Sequence, residues 1–157
     1  MRLLIIKNRI NEFFQLSIPP QKLALSITVG IIIGISPMIG LTTFIVTFLI
    51  YILKLNMVIT QFVHFLVFPL QLIFFIPFIK LGEQFFNTHY IPYSYSQFFE
   101  MVKSHPIDSL LHFSIVYFEG AIMWIFFSIP LSFILYSVLL SIFSKQYLVV
   151  FQLLKKK

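Results

Sequence analysis

Cysteine is missing altogether, which rules out disulfides, thiolate metal sites and cysteine nucleophiles and leaves the redox compartment open. Charge is nearly as scarce. Charged side chains make up 10% of the chain and hydrophobic ones 59%, against about 25% and about 45–50% in soluble globular proteins. Eleven basic and five acidic residues cannot cover the exterior of a soluble domain of 157 residues, so the apolar surplus is expected to face lipid. There is no Gly-rich phosphate loop followed by Lys-Ser/Thr, no His-Glu-x-x-His and no Gly-x-Ser-x-Gly. An ordinary hydrolase or a nucleotide-driven pump is therefore not expected, and no catalytic residue, cofactor or metal is assigned. The net charge of +6 would raise nucleic acid as a partner, but no basic face interleaved with exposed aromatics is present. The apolar stretch at residues 3–6 is too short for a signal-peptide core.

What is present reads as an all-α integral membrane protein with an N-terminal interfacial helix, a helical hairpin broken by glycine and proline, and kinked transmembrane helices. Residues 1–22 form a basic amphipathic leader, with Leu3, Ile6, Ile10, Phe13 and Phe14 at helical spacing, suited to the cytoplasmic membrane surface. Pro19 and Pro20 end it. Residues 23–80 form a membrane core. Its first apolar run, residues 23–53, carries no charge and as one straight helix would measure about 46 Å, against about 30 Å of hydrocarbon. Gly34, Ser36, Pro37 and Gly40 interrupt it. A break there leaves two arms too short to cross, which predicts a re-entrant hairpin with its tip near residues 36–40. One tilted, kinked span is the alternative. Ser26, Gly30 and Gly34 recur every four residues, a small-residue row that lets another helix approach closely.

The second run, residues 55–79, carries Pro69 and Pro77 and is long enough to cross. Asn56, Thr60, Gln61, His64 and Gln71 fall within an arc of about 140° on a helix. Polar groups in hydrocarbon are expensive, so this face should look inward. It serves either as structural glue between helices or as a polar pathway. Residues 81–112 form a polar, aromatic external connection, with a Tyr-rich belt at residues 89–95. Residues 113–144 form a C-terminal transmembrane helix with Glu119, Trp124 and Pro130, and residues 145–157 a basic cytoplasmic tail. Glu119 lies about two turns inside an apolar run, which makes it a candidate functional carboxylate; the alternative is a headgroup-depth residue snorkelling outward. On one continuous helix His105, Asp108, His112 and Glu119 would share an arc of about 60° and offer a metal or proton site. Asp108 has a simpler reading as a first-turn acid favoured by the helix dipole.

Arg2, Lys7, Arg9, Lys22, Lys54, Lys145 and Lys155, Lys156 and Lys157 all fall on one side if the first run enters and leaves from the cytoplasm, the second crosses outward and the third returns. The positive-inside rule then puts both termini in the cytoplasm.

From Pro20 to Gly82 the chain resembles an uncharacterised bacterial membrane family, domain of unknown function 2062. The resemblance rests on Gly30, Gly34, Pro37, Gly40 and Thr43, then Asn56 after a long apolar arm, a proline in the next segment and Gly82 beyond it. Members usually have Asn-Pro in that segment, where this chain has Phe68-Pro69. The resemblance implies a small inner-membrane protein loosely linked to envelope glycolipid or lipid metabolism, because some relatives are joined to glycosyltransferase domains. It supplies no catalytic residues.

Three roles follow. The first is a transport or accessory module for envelope lipid or glycolipid components, using the tip at Gly34, Ser36, Pro37 and Gly40 with the face of Asn56, Gln61 and His64. The second is a non-catalytic scaffold for a partner such as a glycosyltransferase. The third is a membrane enzyme or metal site built on His105, Asp108, His112 and Glu119. The expected partners are the lipid bilayer and either a second copy of the chain or an envelope-biosynthesis protein.

Overall fold

The structure, a computed structural model, describes residues 18–88, 100 and 102–155. The amphipathic leader, but for its last residues, and the Tyr-rich belt lie outside the described residues. Four helices account for nearly all of the rest: α1 Pro20–Gly34, α2 Thr42–Leu53, α3 Met57–Phe86 and α4 Pro106–Lys155. Among the described residues there is no strand.

Each helix begins and ends where local chemistry dictates. Pro20 opens α1, a position where its missing N–H costs nothing and its fixed φ is helical. The long apolar run divides as its glycine and proline content predicts, with α1 ending at Gly34 and α2 starting at Thr42. Gly40 adopts φ +87 within the connecting turn, backbone open to glycine and strained for other residues. Lys54 ends α2 in the left-handed conformation, and Leu55 N–H returns to the Ile50 carbonyl at 3.0 Å. Asn56 then caps α3, its side chain accepting from Ile59 N–H at 2.9 Å, which satisfies one of the donors that every helix start leaves free. Pro69 and Pro77 lie inside α3 and Pro130 inside α4, and both helices continue through them.

At 1.5 Å per residue α1 is about 22 Å long, α2 about 18 Å and α3 about 45 Å. Two helical stretches, Met57–Phe86 and Pro106–Lys145, are long and apolar enough to cross a membrane. Helix α4 starts before the expected residue 113 and runs on through residues expected as a tail.

The glycine row sets the main packing seam. A Cβ built on Gly30 would sit 2.8 Å from the Thr60 carbonyl oxygen and 3.0 Å from Val63 Cβ, and one on Gly34 would sit 3.1 Å from Val67 Cβ. Backbones come this close only where side chains are absent. The contacts also give direction. Ser26 meets Asn56, Gly30 meets Thr60 and Val63, and Ser36 meets Gln71, so α1 runs parallel to α3. Helix α4 runs the other way past α1, with Tyr117 reaching Ile39 and Trp124 reaching Ile32. It crosses α3 where Gly82 faces Glu119 and Gly120, with a Gly82 Cβ only 2.8 Å from the Glu119 backbone.

Polarity in α3 is inverted relative to a soluble helix. Its buried residues include Thr60, His64 and Gln71, while Phe62, Phe65, Leu66, Ile73 and Ile76 face outward. The apolar core is small and lies between the hairpin and α4, around Ile32, Ile33, Val46, Ile50, Leu55 and Trp124.

Candidate functional site

The break between α1 and α2 leaves carbonyls that no helical N–H can reach, and a buried carbonyl without a donor is costly. Neighbouring helices supply the donors. Gln71 of α3 donates its Nε2 to the Ser36 carbonyl at 2.8 Å. The Trp124 indole N–H of α4 points at the Ile32 carbonyl at 3.3 Å, and the Tyr117 hydroxyl at the Ile39 carbonyl, also at 3.3 Å. The last two are at the long end for hydrogen bonds. Ser36 and Pro37 are fully buried at the turn, while Ile39, Gly40 and Leu41 are exposed.

Helix α3 presents its polar residues to this seam, and most are used locally. Asn56 caps the helix, and its backbone N–H donates to Ser26 Oγ at 3.1 Å. Thr60 Oγ1 donates to the Asn56 carbonyl at 2.8 Å. Gln61 donates its Nε2 to Thr47 Oγ1 on α2 at 2.9 Å. The Asn56 backbone and the Gln61 side chain therefore hold the hairpin to α3, while Thr60 bonds within its own helix.

Two residues are left over. His64 is 2% exposed with neither ring nitrogen in a hydrogen bond, and Ser36 is 0% exposed with its Oγ unpaired. Among the described residues, the other buried side-chain atom without a partner is Gln61 Oε1. Each unsatisfied buried group costs about 1–3 kcal/mol, so the imidazole and the hydroxyl together subtract a meaningful share of a domain's stability. Both belong to the same stretch of the α1–α3 seam. The His64 carbonyl lies 3.3 Å from where a Gly34 Cβ would be, and the Ser36 carbonyl is bonded to Gln71, two turns further along α3.

Glu119 sits elsewhere, at the crossing of α3 and α4. It is 7% exposed and accepts a hydrogen bond from Thr88 Oγ1 at 2.7 Å. Thr88 follows the C-cap residue of α3, Asn87, and its N–H closes that cap on the Glu83 carbonyl. The carboxylate is buried and ties the end of α3 to α4.

His105, Asp108, His112 and Glu119 do not gather into a metal site. Helix α4 begins at Pro106, with His105 immediately before it, and Glu119 bonds Thr88 beyond the end of α3. His105 Nδ1 lies 3.9 Å from Asp108 Oδ2, with both side chains about two-thirds exposed. Among the described residues no three His, Asp or Glu side chains gather closely enough to hold a metal ion. Several serines of α4 return their hydroxyls to carbonyls one turn earlier, as Ser114 does to Leu110 and Ser137 to Phe133.

Sequence reasoning missed the roles of Thr88, Tyr117 and Trp124. The signal for Trp124 was present, since it is the sole tryptophan and a buried indole N–H needs an acceptor.

No curated protein and no solved structure matches the chain. One family profile does match, over residues 3–148, well beyond the stretch from Pro20 to Gly82 that carries the resemblance in the sequence. The chain thus belongs to the family of uncharacterized proteins conserved in bacteria, domain of unknown function 2062.

Proposed function

We propose that the protein is an integral protein of the bacterial inner membrane in which α1 and α2 re-enter from the cytoplasmic side, and that the polar seam between α1 and α3 serves a transport or accessory role for envelope lipid or glycolipid components. The observation that carries this reading is the register of the hairpin on α3. Both open ends of the hairpin lie at the Met57 end of α3, where Ser26 meets Asn56 and α2 leads through Lys54 into α3. The turn lies beside Gln71, about 21 Å along a helix of about 45 Å. A hairpin that turns halfway along a spanning helix leaves on the side it came from. Non-helical backbone at that depth needs protein donors, and Gln71, Trp124 and Tyr117 supply them. The inverted polarity of α3 fits lipid outside and a polar seam within. Broken helices beside a polar face at mid-depth are how many transporters build a binding site. Lys22, Lys54 and Lys145 then fall with both termini in the cytoplasm.

Single cysteines at positions 22, 54 and 87, in a chain with none of its own, test this directly. A membrane-impermeant maleimide applied to right-side-out and inverted vesicles is expected to label positions 22 and 54 from the cytoplasmic face and position 87 from the other. Labelling of 22 and 54 from opposite faces refutes re-entrance.

A scaffold for a partner enzyme is the second reading. The near-complete capture of the turn's carbonyls favours it, because a rigid hairpin suits docking as well as binding. It requires that His64→Ala leave function intact.

A further inference from the structure

We propose that the end of α4 running past the foot of α1 is a docking surface for the chain's own amphipathic leader, residues 1–17, which lies antiparallel on the row of α4 that α1 already occupies. The proposal stands apart from the transport reading and holds for either orientation of the hairpin.

The register of α4 on the hairpin defines the surface. Trp124 points at the Ile32 carbonyl and Tyr117 at the Ile39 carbonyl. The two donors are as far apart in the chain as the two acceptors, so the partners keep step in opposite directions. Carried back at that pace, Pro20 at the foot of α1 stands level with Tyr136. Helix α4 continues to Lys155, about 28 Å further. The joint of α2 and α3 meets α1 at Ser26, short of the foot.

The interface with α1 continues along this overhang. Tyr117 and Trp124 bond the hairpin arm, and Ala121 and Ser128 are buried at the same helical spacing. The row runs on through Ser132, Leu135, Leu139 and Phe143, all half-buried. Phe133, Ile134 and Val138, off the row, are exposed.

The leader fits this row in length, position and pattern. Wound as a helix, residues 1–17 would reach about 25 Å, close to the length of the overhang. They join α1 through Pro19, whose backbone is extended, at the point where the covered row loses α1. Leu3, Ile6, Ile10, Phe13 and Ser17 follow the three-and-four spacing of a helix seam. At the register of α1, Ser17 stands level with Leu139 and Phe13 with Phe143. Glu12, Asn8 and Gln15 then look away from α4. A second copy could cover the same row, but the leader is tethered beside it, at an effective concentration on the order of millimolar.

The test is disulfide cross-linking of the full chain in membrane vesicles with copper-phenanthroline, in a sequence without native cysteine. Phe13→Cys with Phe143→Cys is the docked pair. Glu12→Cys with Phe143→Cys has the right level and the wrong face, and Leu3→Cys with Phe143→Cys the wrong level. The docked pair is expected to link within one chain at least about tenfold faster than either control. Ser17→Cys with Leu139→Cys tests the same register if loss of two phenylalanines prevents insertion. Equal rates for all pairs overturn the proposal and leave the leader on the lipid surface. Linking only between tagged and untagged copies overturns it in favour of a second copy. The maleimide labelling of positions 22, 54 and 87 is read separately, so a failed hairpin topology and a failed docking are told apart.

Discussion

Replacing Gly30 with alanine puts the α1–α3 seam to a quantitative test. The added Cβ would lie 2.8 Å from the Thr60 carbonyl oxygen and 3.0 Å from both Cβ and Cγ1 of Val63. One of these partners is backbone and another is the rigid root of a β-branched side chain, so neither can swing away. Restoring ordinary van der Waals separation needs the helices to part by about 0.5 Å. Overpacking of this kind costs about 1–3 kcal/mol, and alanine returns about 1 kcal/mol through its better helix propensity. Because the clashing atom at 2.8 Å is backbone, the upper half of that range applies, and the expected net loss is about 1–2 kcal/mol. Gly34 is the internal control. Its new Cβ would meet Val67 at 3.1 and 3.2 Å and the His64 carbonyl at 3.3 Å, a milder crowding that the propensity gain of about 1 kcal/mol can offset. Steric-trap unfolding in bicelles, comparing wild type, Gly30→Ala and Gly34→Ala, measures both. A Gly30→Ala protein as stable as wild type, or more stable, would mean that α1 does not lie on Thr60, and the register argument would fail with it.

Two other substitutions probe the polar contacts. Gln71→Leu keeps the volume and removes the donor to the Ser36 carbonyl, so the same unfolding assay is expected to show a loss of about 1–3 kcal/mol; an unchanged stability would show that the turn finds its donor elsewhere. For the tie between Thr88 and Glu119, a double-mutant cycle of Thr88→Val and Glu119→Gln is expected to give a coupling of about 0.5–3 kcal/mol. A coupling indistinguishable from zero would show that the Thr88–Glu119 bond does not tie the two helices.

The amino-acid order alone determined the features that depend on near neighbours. Pro37 and Gly40 broke the long apolar run because an absent N–H and an open φ act within a turn of the chain. The spacing of Thr60, His64 and Gln71 put them on one buried face because helical periodicity is a local property. The row of Ser26, Gly30 and Gly34 announced a close helix contact, though not its partner. A shared helical face did not make His105, Asp108, His112 and Glu119 one metal site among the described residues, since Asp108 and Glu119 lie about 16 Å apart along the helix axis.

Only the tertiary structure decided which polar groups are satisfied. The bonds from Gln71 to Ser36 and from Trp124 to Ile32 join residues 35 and 92 apart in the chain. Whether they form depends on how far α1 slides along α3 and how α4 crosses both. Backbone contacts at Gly30, Gly34, Gly82 and Gly120 fix those quantities. The same geometry gives the Asn56 backbone N–H and the Gln61 side chain their partners and leaves Ser36 Oγ and the His64 ring without them. Hydrogen bonds act over about 3 Å, so a helix displacement of one residue, about 1.5 Å, is enough to break the bonds from Gln71 and Trp124.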